Sequence, residues 1–235
     1  MNFILIILIE ILFFLAIAPG VLLVLYFYWR DKYEREPFGR LIVAFLLGPL
    51  SVVLAIILEV LLGALSLFSG NNISLFSKFI LAFFIVGFSE EISKFLPFFF
   101  YGYRSRHFNE PFDGVVYGTI VSLGFATIEN LMYVLPGGFG VGIGRMIFSV
   151  PGHAMFGGIM GYFAGRAKFM RGANRRGKTL MLGLLVAILI HGFYDFLLFW
   201  NTPFSLVLFV VFFIIGWIIF FILMKRSLRL SPFRK

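Results

Sequence analysis

The chain has 235 residues, of which 61% are hydrophobic, 20% aromatic and 13% charged, with a mean hydropathy of +1.01. A soluble domain carries about a quarter charged residues. No water-soluble core hides this much apolar surface, so the composition specifies an integral membrane protein. Cysteine is absent, which removes disulfides, thiolate nucleophiles and Cys-type metal sites.

A spanning helix needs about 20 apolar residues. Seven apolar runs of suitable length follow one another, near 3–29, 41–68, 79–101, 114–135, 145–165, 179–199 and 204–224. The expected fold is an all-α, polytopic helix bundle, a single transmembrane domain over 1–235. Alternating short strands, the mark of a membrane barrel, are missing.

The first run resembles a signal peptide at Ala16-Ile17-Ala18. No basic residue precedes it, Pro19 follows directly, and apolar chain continues to Trp29, so it reads as a retained first span. Pro19-Gly20 and Pro49 are expected to bend the first two spans. Asp113 is positioned to cap the fourth, and Thr202-Pro203 reads as a cap followed by proline at the first turn of the seventh. The segment PGGFGVGIG, 136–144, reads as a mobile glycine-rich outer loop. It lacks a GK[ST] ending, so it is not a phosphate loop. Gly114, Gly118, Ser122 and Ala126 on the fourth run, and Gly157, Gly161 and Gly165 on the fifth, are small residues at four-residue spacing. They permit close helix approach.

The net charge of +9 is unevenly placed. Segments 30–40, 102–113, 166–178 and 225–235 hold 4, 2, 6 and 5 Lys/Arg, which is 17 of the 20. The alternate connections hold only Lys78, with Arg145 at the outer start of the fifth span. This asymmetry sets a topology with the N-terminus outside and the C-terminus in the cytoplasm of a multi-pass cell-membrane protein. The basic run RAKFMRGANRRGK then needs no nucleic-acid partner.

Inside the runs lie Glu10, Glu59, Glu90, Glu91, Lys94, Glu129, His153, His191 and Asp195. Ionisable groups in a membrane are costly, and by default they face the protein interior and act there. With that topology and a rise of about 1.5 Å per residue, Glu90 falls roughly 16 Å below the outer surface. Glu129 falls at roughly 9 Å, His153 and His191 near 12 Å, and Asp195 near 6 Å. Four helices of alternating direction thus bring polar groups to one zone. Glu90 and Lys94 share a helix face, as do His191 and Asp195. Glu10 and Glu59 lie nearer helix ends and read as structural, and Glu129-Asn130 suits an interhelical hydrogen bond.

Lys94 is the one fixed cation among six acids in the spans. Either some acids carry protons or something positive is bound. Both states suit hydrolysis: a glutamate can serve as general base toward water, and two histidines with carboxylate oxygens can hold Zn²⁺ with one position open. HExxH is absent, no second intramembrane aspartate pairs with Asp195, and Ser89 is followed at once by two glutamates. A proton-coupled transporter is the alternative class, since buried Glu/His/Lys sets also build proton relays. No inverted repeat supports it.

Four motifs occur in order: EEISK (90–94), FATIE (125–129), HAMFG (153–157) and HGFYD (191–195). As EExxK, FxxxE, HxxxG and HxxxD, this ordered set resembles the PrsW family of intramembrane proteases, relatives of type II CAAX prenyl proteases. DKYEREP and FDGVVYG are also similar to that family. The resemblance implies an endopeptidase making the first cut in a membrane-anchored anti-sigma factor, on its extracytoplasmic side. The substrate would be a single-pass protein in the same bilayer. Glu90, Glu91, Lys94, His153 and His191 would be the catalytic set, and Phe125, Asn130 and Gly157 would support substrate and site. Glu129, His153, His191 and Asp195 are the candidate ligands should zinc be the cofactor.

Overall fold

In the computed structural model, residues 3–63 and 73–234 are described, with side chains from residue 6 onward. The end of the second apolar run, 64–68, lies outside them. The described residues are helical with short connections. Helix α1 spans Phe3–Arg30 and α2 spans Phe38–Leu61. Helix α3 runs through four abutting segments, Leu75–Ile80, Leu81–Gly87, Phe88–Pro97 and Phe98–Tyr103, the second and fourth wound as π-helix. Helix α4 is Pro111–Gly144, a π-helical stretch covers Arg145–Ser149, and α5 is Val150–Lys168. Helices α6 and α7 are Ala173–Trp200 and Pro203–Arg229.

Five of these helices are long and apolar enough to cross a membrane. One, Pro111–Lys168, is counted as a single stretch of 58 residues. Fully straight it would be roughly 87 Å long, about three times a hydrocarbon core. It folds back instead: Gly138 has φ 78° and ψ −168°, outside helical geometry and in a region that glycine adopts without a steric penalty. Helix α3, broken into short windings, is apolar and continuous but falls outside that count of five. These two features separate the count from the seven apolar runs.

The segment 136–144, expected as a loop, is helical except at that glycine. The expected break is present but confined to one residue, Gly138, where two helical segments meet. The helix α4 cap also differs from expectation. Glu110 is the N-cap and Asp113 the reciprocal third residue of a capping box, with Pro111 at the first turn. Thr202 caps α7 as its sequence suggests, its side chain accepting from the Ser205 amide, with Pro203 next. Pro19 and Pro49 lie inside helices α1 and α2.

Helices α4 and α5 form the centre. From Pro111 to Thr127 every residue of α4 is buried, which is the pattern of a helix surrounded by others. The small-residue stripes explain how. A Cβ on Gly114 would lie 2.2 Å from Gly161 O, one on Gly118 would lie 2.3 Å from Gly157 O, and one on Gly165 would lie 2.1 Å from Pro111 O. The two backbones therefore touch, antiparallel, with no room for a methyl group. Helix α2 meets α4 the same way through Gly48 and Gly124. Outward faces are apolar and exposed, as at Ile214, Ile215 and Ile218 of α7, which suits a lipid surround.

Candidate active site

Helix α3 brings Glu90, Glu91 and Lys94 to the inner side of the bundle, all three buried. The Lys94 ammonium has three N–H donors. It donates to Glu90 Oε2, Glu91 Oε1 and His153 Nδ1, each at 2.9 Å. Its Nζ also stands 4.1 Å from the centroid of the Phe125 ring. Every donor is used, so a 0% exposed ammonium is fully satisfied.

Lysine cannot accept, so His153 Nδ1 accepts and the His153 proton sits on Nε2. That nitrogen stands 2.8 Å from Glu129 Oε2. His191 is oriented by the other glutamate: its Nδ1 lies 2.8 Å from Glu91 Oε1. Its Nε2 turns toward Asp195 Oδ2 at 3.3 Å and Glu90 Oε2 at 3.9 Å. The Phe156 ring stacks on His191, centroids 4.7 Å apart and planes at 23°. This fixes the imidazole plane from one side while Glu91 fixes its rotation.

Close helix contacts set these distances. Gly87 of α3 and Gly192 of α6 meet one turn from Glu91 and beside His191: a Cβ on Gly87 would lie 3.1 Å from Gly192 N. A Cβ on Gly157 would lie 2.1 Å from Ser122 Oγ, so α5 is held against α4 one turn from His153. The glycine of the HxxxG motif is thus a spacing residue.

A cavity of about 480 Å³ opens beside the cluster. Glu90, Glu129, His153, His191 and Asp195 line it, while Glu91 and Lys94 do not. The two adjacent glutamates therefore differ in kind. Glu90 meets the cavity, and Glu91, 0% exposed, lies behind it against His191 and Lys94.

Two further residues line the cavity that the sequence pattern does not mark as part of a site. Glu59, read as structural, lines the cavity, and so does Arg145, read as part of the outer charge pattern. Arg145 Nη2 stands 2.9 Å from Glu129 Oε1, and its Nε donates to Asn130 Oδ1 at 2.7 Å. Asn130 in turn donates through Nδ2 to Ala16 O, 3.3 Å, tying α1 to this corner. Arg145 falls one residue beyond α4, where an arginine looks like an interface charge; only its partner Glu129, four turns back, could have flagged it. Glu10 is exposed on α1.

The residues suit a metal ion in donor chemistry. One ligand atom each from Glu90, His153 and His191 lies within 4.8 Å of the others. Glu91 holding His191 Nδ1 leaves Nε2 for a ligand, the arrangement that orients metal-binding imidazoles elsewhere. Lys94 now holds His153 Nδ1 and Glu90 Oε2, so an ion on this trio requires the ammonium to give up those two contacts. Asp195 stands beside His191 as a further oxygen donor, while Glu129 is committed to Arg145 and to the far nitrogen of His153.

The family model described as "PrsW family intramembrane metalloprotease" matches residues 36–224. Protease PrsW of Clostridioides difficile is 36% identical over 210 residues, 88% of this chain and 87% of that protein. Protease PrsW of Oceanobacillus iheyensis is 37% identical over 212 residues, 90% and 94% of the two chains. Protease PrsW of Bacillus subtilis is 38% identical over 183 residues, 78% and 80%. No solved structure matches. Matched over most of its length, with its four motifs drawn around one buried cavity, the chain belongs to the PrsW family of intramembrane metalloproteases, multi-pass membrane proteins that hydrolyse peptide bonds.

Proposed function

We propose that Glu90 is the group that takes the proton from the attacking water, and that Glu91 positions His191. The carrying observation is that Glu90 lines the cavity while Glu91 lies behind it, bonded to His191 and Lys94. Water adds to the scissile carbonyl carbon as its proton passes to Glu90. The same proton then leaves Glu90 for the amine nitrogen as the C–N bond breaks. His191 Nε2, held toward the cavity by Glu91 and Phe156, supports the developing oxyanion. Lys94 keeps the glutamate pair and His153 at fixed separation through three 2.9 Å bonds.

Zinc is the ion we assign; His153 and His191 with the adjacent Asp195 would hold it, Lys94 would release His153, the ion would take over the oxyanion from His191, and Glu90 would stay free as the base. When bound it would acidify the water and polarise the carbonyl. Two histidines and a carboxylate are a zinc-type donor set rather than a Mg²⁺ or Ca²⁺ set.

The substrate we assign is a single-pass membrane protein cut on its extracytoplasmic side, specifically an anti-sigma factor in its first, signal-dependent cleavage. Support comes from the motif set and from the basic-loop asymmetry, from which the cluster is expected in the outer half of the bilayer or near its midplane. Purified chain co-reconstituted with a tagged single-pass anti-sigma factor should release one extracytoplasmic fragment. Cleavage confined to its cytoplasmic side, or none in folded protein, would overturn the assignment.

A further inference from the structure

A second acidic cluster lies at the opposite end of the bundle, where the basic connections gather. Asp31 follows α1, Glu110 caps α4 and Asp113 lies in its first turn. All three are 0% exposed. One carboxylate oxygen from each falls within 4.8 Å of the others.

Part of this cluster has an ordinary structural use. Asp31 Oδ2 accepts from the Glu36 amide at 2.9 Å, and Asp113 Oδ2 accepts from the Asn109 and Glu110 amides at 2.7 and 2.8 Å. The remaining oxygens do not share that use. Asp31 Oδ1 and Asp113 Oδ1 are buried with no hydrogen-bond partner. Both Glu110 carboxylate oxygens are likewise buried with no hydrogen-bond partner, and the facing carboxylates, acceptors all, can be joined only through a proton or a cation.

Neighbouring cations are engaged elsewhere. Arg40 Nε donates to Tyr117 Oη, Lys168 Nζ to Tyr103 O, and Arg35 Nε to Asp31's own carbonyl. Among the described residues none of the three acids is in an ion pair. Burying three carboxylates without an opposite charge is strongly unfavourable. A bound ion with oxygen-only ligands removes the conflict, and such ligands select hard cations.

We propose that Asp31, Glu110 and Asp113 form a binding site for one hard divalent cation, Mg²⁺ or Ca²⁺, separate from the proteolytic centre. It joins the connection after α1 to the first turn of α4. Ser231, just beyond α7, stands beside Glu110 and brings the end of the chain to the same point. The ion acts as a clamp on two segments distant in sequence.

The test uses the full chain in detergent, treated with EDTA and desalted, then titrated separately with MgCl₂ and CaCl₂ to about 10 mM, roughly tenfold above the weak end of known oxygen-ligand sites. The melting temperature is followed by tryptophan fluorescence, and bound ion is counted after equilibrium dialysis. One Mg²⁺ or Ca²⁺ per chain and a rise of several degrees are expected, and whichever ion gives the larger rise is the assigned one. Asp31→Asn and Glu110→Gln, which leave the Asp113 capping bonds in place, should lose both the ion and the rise, whereas Glu90→Gln should keep them. No binding to the unaltered chain overturns the proposal, whether or not the variants fold. So does undiminished binding in Asp31→Asn and Glu110→Gln, or loss in Glu90→Gln, which would move the ion to the proteolytic cavity.

Discussion

Lys94 is the residue on which the buried charges converge. Removing one partner of a buried ion pair typically costs about 3–5 kcal/mol, because the charge left behind is unpaired. Lys94→Met should therefore lower stability by that order and end proteolysis, measured as melting temperature and fragment yield. Arg145 makes a different case. It is part-exposed at the cavity mouth, bridging Glu129 and Asn130. Arg145→Gln should preserve folding and weaken cleavage through substrate capture, raising KM more than it lowers kcat. A kcat loss at unchanged KM would instead place Arg145 among the groups that act on the reacting atoms. The motif residues were legible in the sequence because a charge in an apolar run is conspicuous there. Arg145 and Glu59 were not, because both sit near helix ends, where a charge has an ordinary explanation. Which glutamate meets the cavity was also hidden. Two neighbours lie about 100° apart on a helix, and only packing decides which direction is open.

At the level of elements, glycine contacts set the distances between the groups. Gly157 is the clearest test, since a Cβ there would lie 2.1 Å from Ser122 Oγ and 2.4 Å from Gly118 O. The backbone oxygen cannot move aside cheaply. Gly157→Ala should separate α4 from α5, lower the melting temperature and reduce cleavage, the overpacking penalty being about 1–3 kcal/mol. Normal cleavage in that variant would show that His153 tolerates a shifted helix. The connection between α1 and α2 is held by Tyr117 of α4, which donates to Glu36 and accepts from Arg40. Burial pushes the Glu36 carboxyl up to about 7, only partly offset by that hydroxyl. Tyr117→Phe leaves Glu36 without its donor and should cost about 1–3 kcal/mol, read by thermal unfolding. The small-residue stripes on α4 and α5 were readable from four-residue spacing alone. The narrowness of the reversal at Gly138 was not, because glycine content signals a break without giving its extent.

Taken whole, the bundle holds two polar centres at opposite ends of its central pair of helices. One centre gathers Glu90, Glu91, Lys94, Glu129, His153, His191 and Asp195 from α3, α4, α5 and α6. The other gathers Asp31, Glu110 and Asp113 near the basic end. The all-helical class and the convergence of four motifs were legible from hydropathy, helical phase and rise. The second centre was not, because its acids fall in short connections where acidic residues are ordinarily solvated. Their burial comes from tertiary packing that no local pattern encodes. In the proposed mechanism the paired glutamates divide the work, Glu90 on water and Glu91 on His191. Its most direct test is the initial cleavage rate of Glu90→Gln against Glu91→Gln, both folded and co-reconstituted with the same single-pass substrate. A general base contributes roughly 10²–10⁴-fold, whereas a group that orients an active-site histidine contributes roughly 10–100-fold. Glu90→Gln should show the larger loss and Glu91→Gln a measurable residual rate; the reverse order, or a Glu90→Gln protein that cleaves at the normal rate, would overturn this division of roles.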